Sequence, residues 1–125
     1  MNVYKTKWFT KFARQQRIPD SDLIEAIERA ERGLIDADLG GGLIKLRVGR
    51  SGQGRSGGYR LIVAFRTQFR AFFVFGFAKS DQENIDHDEL LTLRDVAADL
   101  LGADLKRIAK GIADNEIQEI PYEET

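Results

Sequence analysis

The stretch Gly58-Tyr59-Arg60-Leu61-Ile62-Val63-Ala64-Phe65-Arg66, Thr67-Gln68-Phe69, Arg70-Ala71-Phe72-Phe73-Val74-Phe75-Gly76-Phe77-Ala78 decides the fold. In 58–66, Leu61, Val63 and Phe65 alternate with Arg60, Ile62, Ala64 and Arg66, the period-two signature of a strand. Residues 70–78 are apolar on both faces, which predicts a central strand covered from both sides. Thr67, Gln68 and Phe69 suffice for a hairpin turn between the two. Upstream, Ile44, Leu46 and Val48 alternate with Lys45 and Arg47, predicting a third strand over 43–48.

Helices flank this meander. Trp8 and Phe12, like Phe9 and Ala13, stand four apart, which predicts a short helix after an initial extended piece. Pro19 ends it, and Asp20-Ser21-Asp22 is helix-capping chemistry for a second helix through Leu23, Ile27, Ala30 and Leu34. Gly40-Gly41-Gly42 breaks the chain. Beyond the meander, Leu90, Leu93, Val96 and Leu100 or Leu101 share one helical face, and Gly102 suits its stop. Leu105, Ile108, Ala109 and Ile112 begin another helix, and Ile117, Ile120 and Tyr122 suit a short strand or tail. Helices, then strands, then helices is the order of an α+β fold. At 125 residues the chain is one domain, 1–125, with an acidic helical C-terminal part at about 86–125.

Composition excludes whole classes of chemistry. Cysteine is absent and His87 is the single histidine, so thiol nucleophiles, thiolate zinc sites, His–Cys dyads and multi-histidine metal sites are all ruled out. No metal site and no cofactor is expected. The N-terminal residues lack the apolar core of a signal peptide, and no apolar run approaches the ~20 residues of a membrane span, so a cytoplasmic protein with no membrane partner is expected.

The net charge of −1 conceals a polarised chain. Residues 1–79 carry 15 Lys and Arg against 7 Asp and Glu, whereas 80–125 carry 4 against 13. Within 40–79 lie Lys45, Arg47, Arg50, Arg55, Arg60, Arg66, Arg70 and Lys79 with no acid at all. Such a surface attracts polyanions. Between the strands, Gly52-Gln53-Gly54-Arg55-Ser56-Gly57 matches G-x-G-x-x-G, but a strand follows it where a dinucleotide site needs a helix N-terminus. Kinase catalytic motifs are missing as well. The glycines serve either as a plain hairpin connection or as a mobile loop that brings Arg50 and Arg55 to a phosphate backbone.

The segments Ile44-Lys45-Leu46-Arg47-Val48, Gly52-Gln53-Gly54-Arg55-Ser56-Gly57-Gly58-Tyr59-Arg60 and Phe75-Gly76-Phe77-Ala78-Lys79-Ser80-Asp81 resemble the HigB-type branch of the RelE/ParE toxin superfamily. The resemblance covers roughly residues 2–100. It implies a small antiparallel sheet with helices packed on one face, to which the C-terminal helices are added. It implies the toxin of a type II toxin–antitoxin system, an endoribonuclease that cleaves mRNA on the ribosome and stops translation. It also implies a cognate helix-turn-helix antitoxin, with operator DNA bound only through that partner.

Metal-free RNA cleavage uses the 2′-hydroxyl as nucleophile, a base to take its proton, cations for the pentacoordinate phosphate and an acid for the leaving 5′-oxygen. Without a histidine pair, lysine, arginine and tyrosine remain. Arginine clamps phosphate but does not serve as a base. Strand position and the resemblance together make Arg60 the main phosphate-stabilising residue and Lys79 a proton-transfer or phosphate residue. Lys45 is the candidate general base, with Arg47 beside it on one strand face. Arg50 and Arg55 are loop contacts to RNA, and Tyr59 and Phe77 are candidate stacking platforms. Arg66, Arg70 and His87 read as surface residues. Two other functions stay open: a ParE-like inhibitor of DNA gyrase, which is no nuclease, and a non-catalytic RNA-binding module.

Overall fold

The computed structural model describes residues 1–50, 54–82 and 84–122, with the side chains of 50 and 54–57 outside the described set. The elements run β1 (Asn2–Thr6), α1 (Lys7–Gln16), α2 (Asp20–Glu31), β2 (Ala37–Gly40), β3 (Leu43–Arg50), β4 (Gly54–Arg66), β5 (Arg70–Ala78), α3 (His87–Leu101), α4 (Leu105–Ala113) and β6 (Ile117–Ile120). Among the described residues, six strands form one sheet in the order β2-β3-β4-β5-β1-β6. Every neighbouring pair is antiparallel except β1 and β5. The fold is α+β, as its element order predicts.

The sheet carries a core on each face. Phe9, Leu23, Ala26 and Ile27 of α1 and α2 pack on Leu46, Leu61, Val63 and Phe73. On the opposite face Ala97, Leu100 and Leu101 of α3 and Ile108 of α4 pack on Leu43, Ile62, Phe72, Val74 and Phe77. The N-terminal helices thus occupy one face and the C-terminal helices the other. This is why β5 is apolar on both sides: Phe72 and Phe73 are fully buried in opposite cores. Each such ring contributes about 1.5–3 kcal/mol of transfer free energy. Tyr4 stacks on Phe72 at 4.8 Å between ring centroids, tying β1 to β5.

Several local features depart from the sequence pattern. The second helix starts at Asp20 with Pro19 as its N-cap residue, and no side chain caps it. Helical periodicity in the sequence carries through Leu34, but α2 ends at Glu31 and Leu34 is 58% exposed. The glycine break is a hairpin: β2, absent from the pattern, pairs back on β3 through Gly40, Gly41 and Gly42, all at positive φ. At Gly42 the backbone (φ +86°) requires glycine, and a Cβ there would lie 2.6 Å from Leu101 Cδ1 and push that side chain aside. Strand β4 begins at Gly54, four residues ahead of the expected start, so much of the glycine stretch has strand backbone. Short polar segments such as β2 carry too little alternation to reveal a strand.

Arg70 corrects the surface reading given to it. It is buried, its Nη1 donating to Leu100 O at 3.2 Å and Ala103 O at 2.6 Å. Its guanidinium also lies 4.2 Å from the centroid of Phe69. Arg70 therefore adds a donor to Leu100 O, which also accepts from the Ala103 amide at 3.3 Å, and holds Ala103 O just beyond α3, and its charge suits that end of the helix dipole.

Candidate phosphate-binding site

Residues on β3, β4 and β5 build the site, on the face that carries α3. Ile44, Leu46 and Val48 point into the α1–α2 core, so Lys45 and Arg47 emerge on the other side of β3. Strand register places Arg47 directly opposite Arg60 and Arg60 opposite Phe77. Two like charges facing each other across a ladder repel. The repulsion is relieved by Asp36, the residue before β2. Its Oδ1 accepts from Arg47 Nε at 2.6 Å, and its Oδ2 lies 3.4 Å from Lys45 Nζ and 3.9 Å from Arg60 Nε. The Asp36 amide donates to Lys45 O at 2.8 Å, so pairing with β3 fixes the carboxylate. From the opposite face, Arg29 of α2 donates to Arg47 O at 2.6 Å and braces the same strand.

Exposure sorts the cations. Arg60 is 3% exposed, whereas Arg47 keeps 48% of its side chain open. Burial, reinforced by the charge of Arg47, draws the Arg60 pKa below the usual arginine range, against the pull of Asp36. For Asp36, burial alone pushes the pKa up, but the Arg47 hydrogen bond and the Lys45 and Arg47 charges outweigh it and hold it below the usual carboxylate range. A carboxylate thus sits amid three cations, where it both orients them and takes up part of their field.

Lys79 follows β5, exposed, and its amide donates to Gly58 O at 3.0 Å. It stands one residue past the end of β5, its backbone across from Gly58 of the strand that carries Arg60. Lys45, Arg47 and Arg60 come together directly around Asp36, and among the described residues no side-chain contact brings Lys79 to them. The side chains of Arg50 and Arg55 lie outside the described residues. Tyr59 and Phe77 are buried. The Tyr59 hydroxyl donates to Gln16 Oε1 at 3.2 Å and its ring meets Phe12 edge-on at 6.1 Å; Phe77 belongs to the α3–α4 core. Neither ring presents an open platform to a base in this structure. His87 is exposed in the first turn of α3, behind the N-cap Asp86.

Asp36 is the residue that the sequence pattern missed. The acid-free stretch was counted from residue 40, just past it. A usable signal existed: a hairpin over Gly41-Gly42 sets 37 opposite 45, which brings Asp36 beside Lys45 and Arg47.

No curated protein and no solved structure gives a significant match to this chain. A family model described as the RelE toxin of the RelE / RelB toxin-antitoxin system matches residues 1–120, which span all six strands and all four helices. The chain belongs to the RelE toxin family.

Proposed function

We propose that this toxin is a ribosome-dependent mRNA endonuclease that works without a metal ion and acts in the cytoplasm, where its substrate is. The observation that carries the reading is the convergence of Lys45, Arg47 and Arg60 on one carboxylate. A site of this kind exchanges its internal anion for a phosphate. Arg47 and Lys79 are the exposed cations that meet the RNA backbone first. Arg60 supplies a charge in a poorly hydrated setting, where electrostatic stabilisation of a pentacoordinate phosphate is strongest.

The reaction requires Lys45 as the free amine: it takes the proton of the 2′-hydroxyl, becoming the ammonium, and the 2′-oxygen attacks the adjacent phosphorus. The P–O5′ bond breaks, Lys79 protonates the departing 5′-oxygen, and the products are a 2′,3′-cyclic phosphate and a 5′-hydroxyl. The ribosome holds the mRNA in register for in-line attack, a contribution from orientation that can be large. HigB-type motifs around Arg60 and Lys79 support the same assignment, and a helix-turn-helix antitoxin is the partner that such a toxin requires.

The test is pulse labelling after induction of the chain alone. Amino-acid incorporation falls within minutes while thymidine incorporation persists. Earlier loss of thymidine incorporation would instead support gyrase inhibition, and neither loss would support a binding module.

A further inference from the structure

A second surface lies away from the cationic sheet face. Helix α1 and the α4–β6 turn enclose an open groove of about 770 Å³, lined in part by Lys7, Trp8, Lys11, Arg14, Ile112 and Glu119. Lys7, Lys11 and Arg14 recur at four and three residues, so they form one exposed stripe about 10 Å long on α1. No ion pair engages any of the three among the described residues. The acid in the lining, Glu119, already accepts from Asn2 Nδ2 at 3.0 Å.

Trp8 borders that stripe and is 48% exposed, an uncommon state for the largest apolar side chain. Its ring stacks on Phe12 and on Phe75, with ring centroids 5.4 Å and 4.7 Å away. Phe75 in turn lies 6.3 Å from Phe77, whose register partner is Arg60. A line of aromatic rings therefore leads from the groove to the strand that carries the buried arginine.

We propose that the α1 groove binds single-stranded RNA, with phosphates along Lys7, Lys11 and Arg14 and a base against Trp8. This rests on the reading that the chain acts on RNA, and it adds a subsite remote from the reacting phosphate. Cations beside a half-open indole are the combination that single-stranded nucleic acid uses: phosphates supply the charge and any base supplies a stacking face. An acidic peptide would satisfy the lysines but leave the indole without a specific partner.

Trp8 is the sole tryptophan of the chain, so its emission reports on the groove directly. The probe is a 12-nucleotide 2′-O-methyl oligouridine, which lacks the nucleophilic hydroxyl and survives intact. Titration into the full-length protein at low salt quenches Trp8 emission. Lys11→Glu/Arg14→Glu weakens binding about tenfold or more and flattens the salt dependence, each lost phosphate contact removing about 0.7 from the log–log slope. Arg60→Ala leaves the quenching in place, because Arg60 is not in the groove. Absence of quenching, an unchanged affinity in the double variant, or equal displacement by a polyglutamate of the same length would each overturn the groove. Cleavage on ribosomes by a protein whose Trp8 is not quenched removes this inference alone; quenching without cleavage removes the nuclease reading alone.

Discussion

Asp36 Oδ1 accepts a 2.6 Å hydrogen bond from Arg47 Nε, which ties the segment after α2 to the cationic strand face beside the Asp36 amide bond to Lys45 O. The carboxylate is 11% exposed while Arg47 stays about half open to solvent, so the bond lies at the rim of the sheet and draws its weight from the three cations that share one carboxylate. Asp36→Asn is expected to lower stability by about 1–2 kcal/mol at neutral pH, because three cations lose their counter-charge. Urea unfolding midpoints check this. An unchanged midpoint would mean that Lys45, Arg47 and Arg60 tolerate one another without it.

The same residue sets an acid dependence. Because its folded pKa is depressed, the stability that Asp36 contributes is fully present above the ordinary carboxylate range, near pH 4. It is lost as pH falls through the lower folded value. The difference in stability between the wild type and Asp36→Asn should therefore shrink below about pH 4 and stay constant above pH 6. Urea titrations at stepped pH read it. A difference that grows on acidification would contradict the sign.

Arg60→Ala is expected to remove toxicity, with a loss of about 10²–10³ in cleavage rate, the usual scale for one charge-stabilising contact. Arg60→Lys restores only part of it, since an ammonium lacks the planar two-point grip of a guanidinium. His87→Ala, exposed at the start of α3, leaves toxicity unchanged. Growth curves with circular dichroism as the folding control decide it. A folded Arg60→Ala protein that still arrests growth would move the active site elsewhere.

Arg70→Ala tests structure rather than chemistry. It removes the side-chain donor from Ala103 O and one of two donors from Leu100 O, together with the closer cation on Phe69, so about 1–3 kcal/mol of stability should go. Cleavage per folded molecule should be retained. A variant of wild-type stability would show that water satisfies those carbonyls equally well.

What the sequence disclosed follows the strength of its periodicities. Strand β5 and its turn at 67–69 were legible because the eight residues 71–78, without a polar break between Arg70 and Lys79, permit little else. Lys45 and Arg47 were legible as a pair because β3 alternates cleanly. Arg70 was not, because its burial depends on where α3 ends, a contact thirty residues away. Arg60 was placed on the right strand, yet its near-complete burial came from packing across the sheet that no local pattern encodes. Tyr59 and Phe77 show the converse: an aromatic beside a cation reads as a platform until the cores on both faces claim it. Asp36 was hidden by a strand of four residues that alternation over so short a length does not reveal.

The most direct measurement is primer extension on a defined mRNA in a reconstituted translation system, with wild type and Arg60→Ala run side by side. The account predicts cleavage by the wild type only when programmed ribosomes are present, leaving a 5′-hydroxyl on the downstream fragment, and no cleavage by Arg60→Ala. An mRNA left intact on stalled or running ribosomes, or cleavage of equal extent by both proteins, would contradict it.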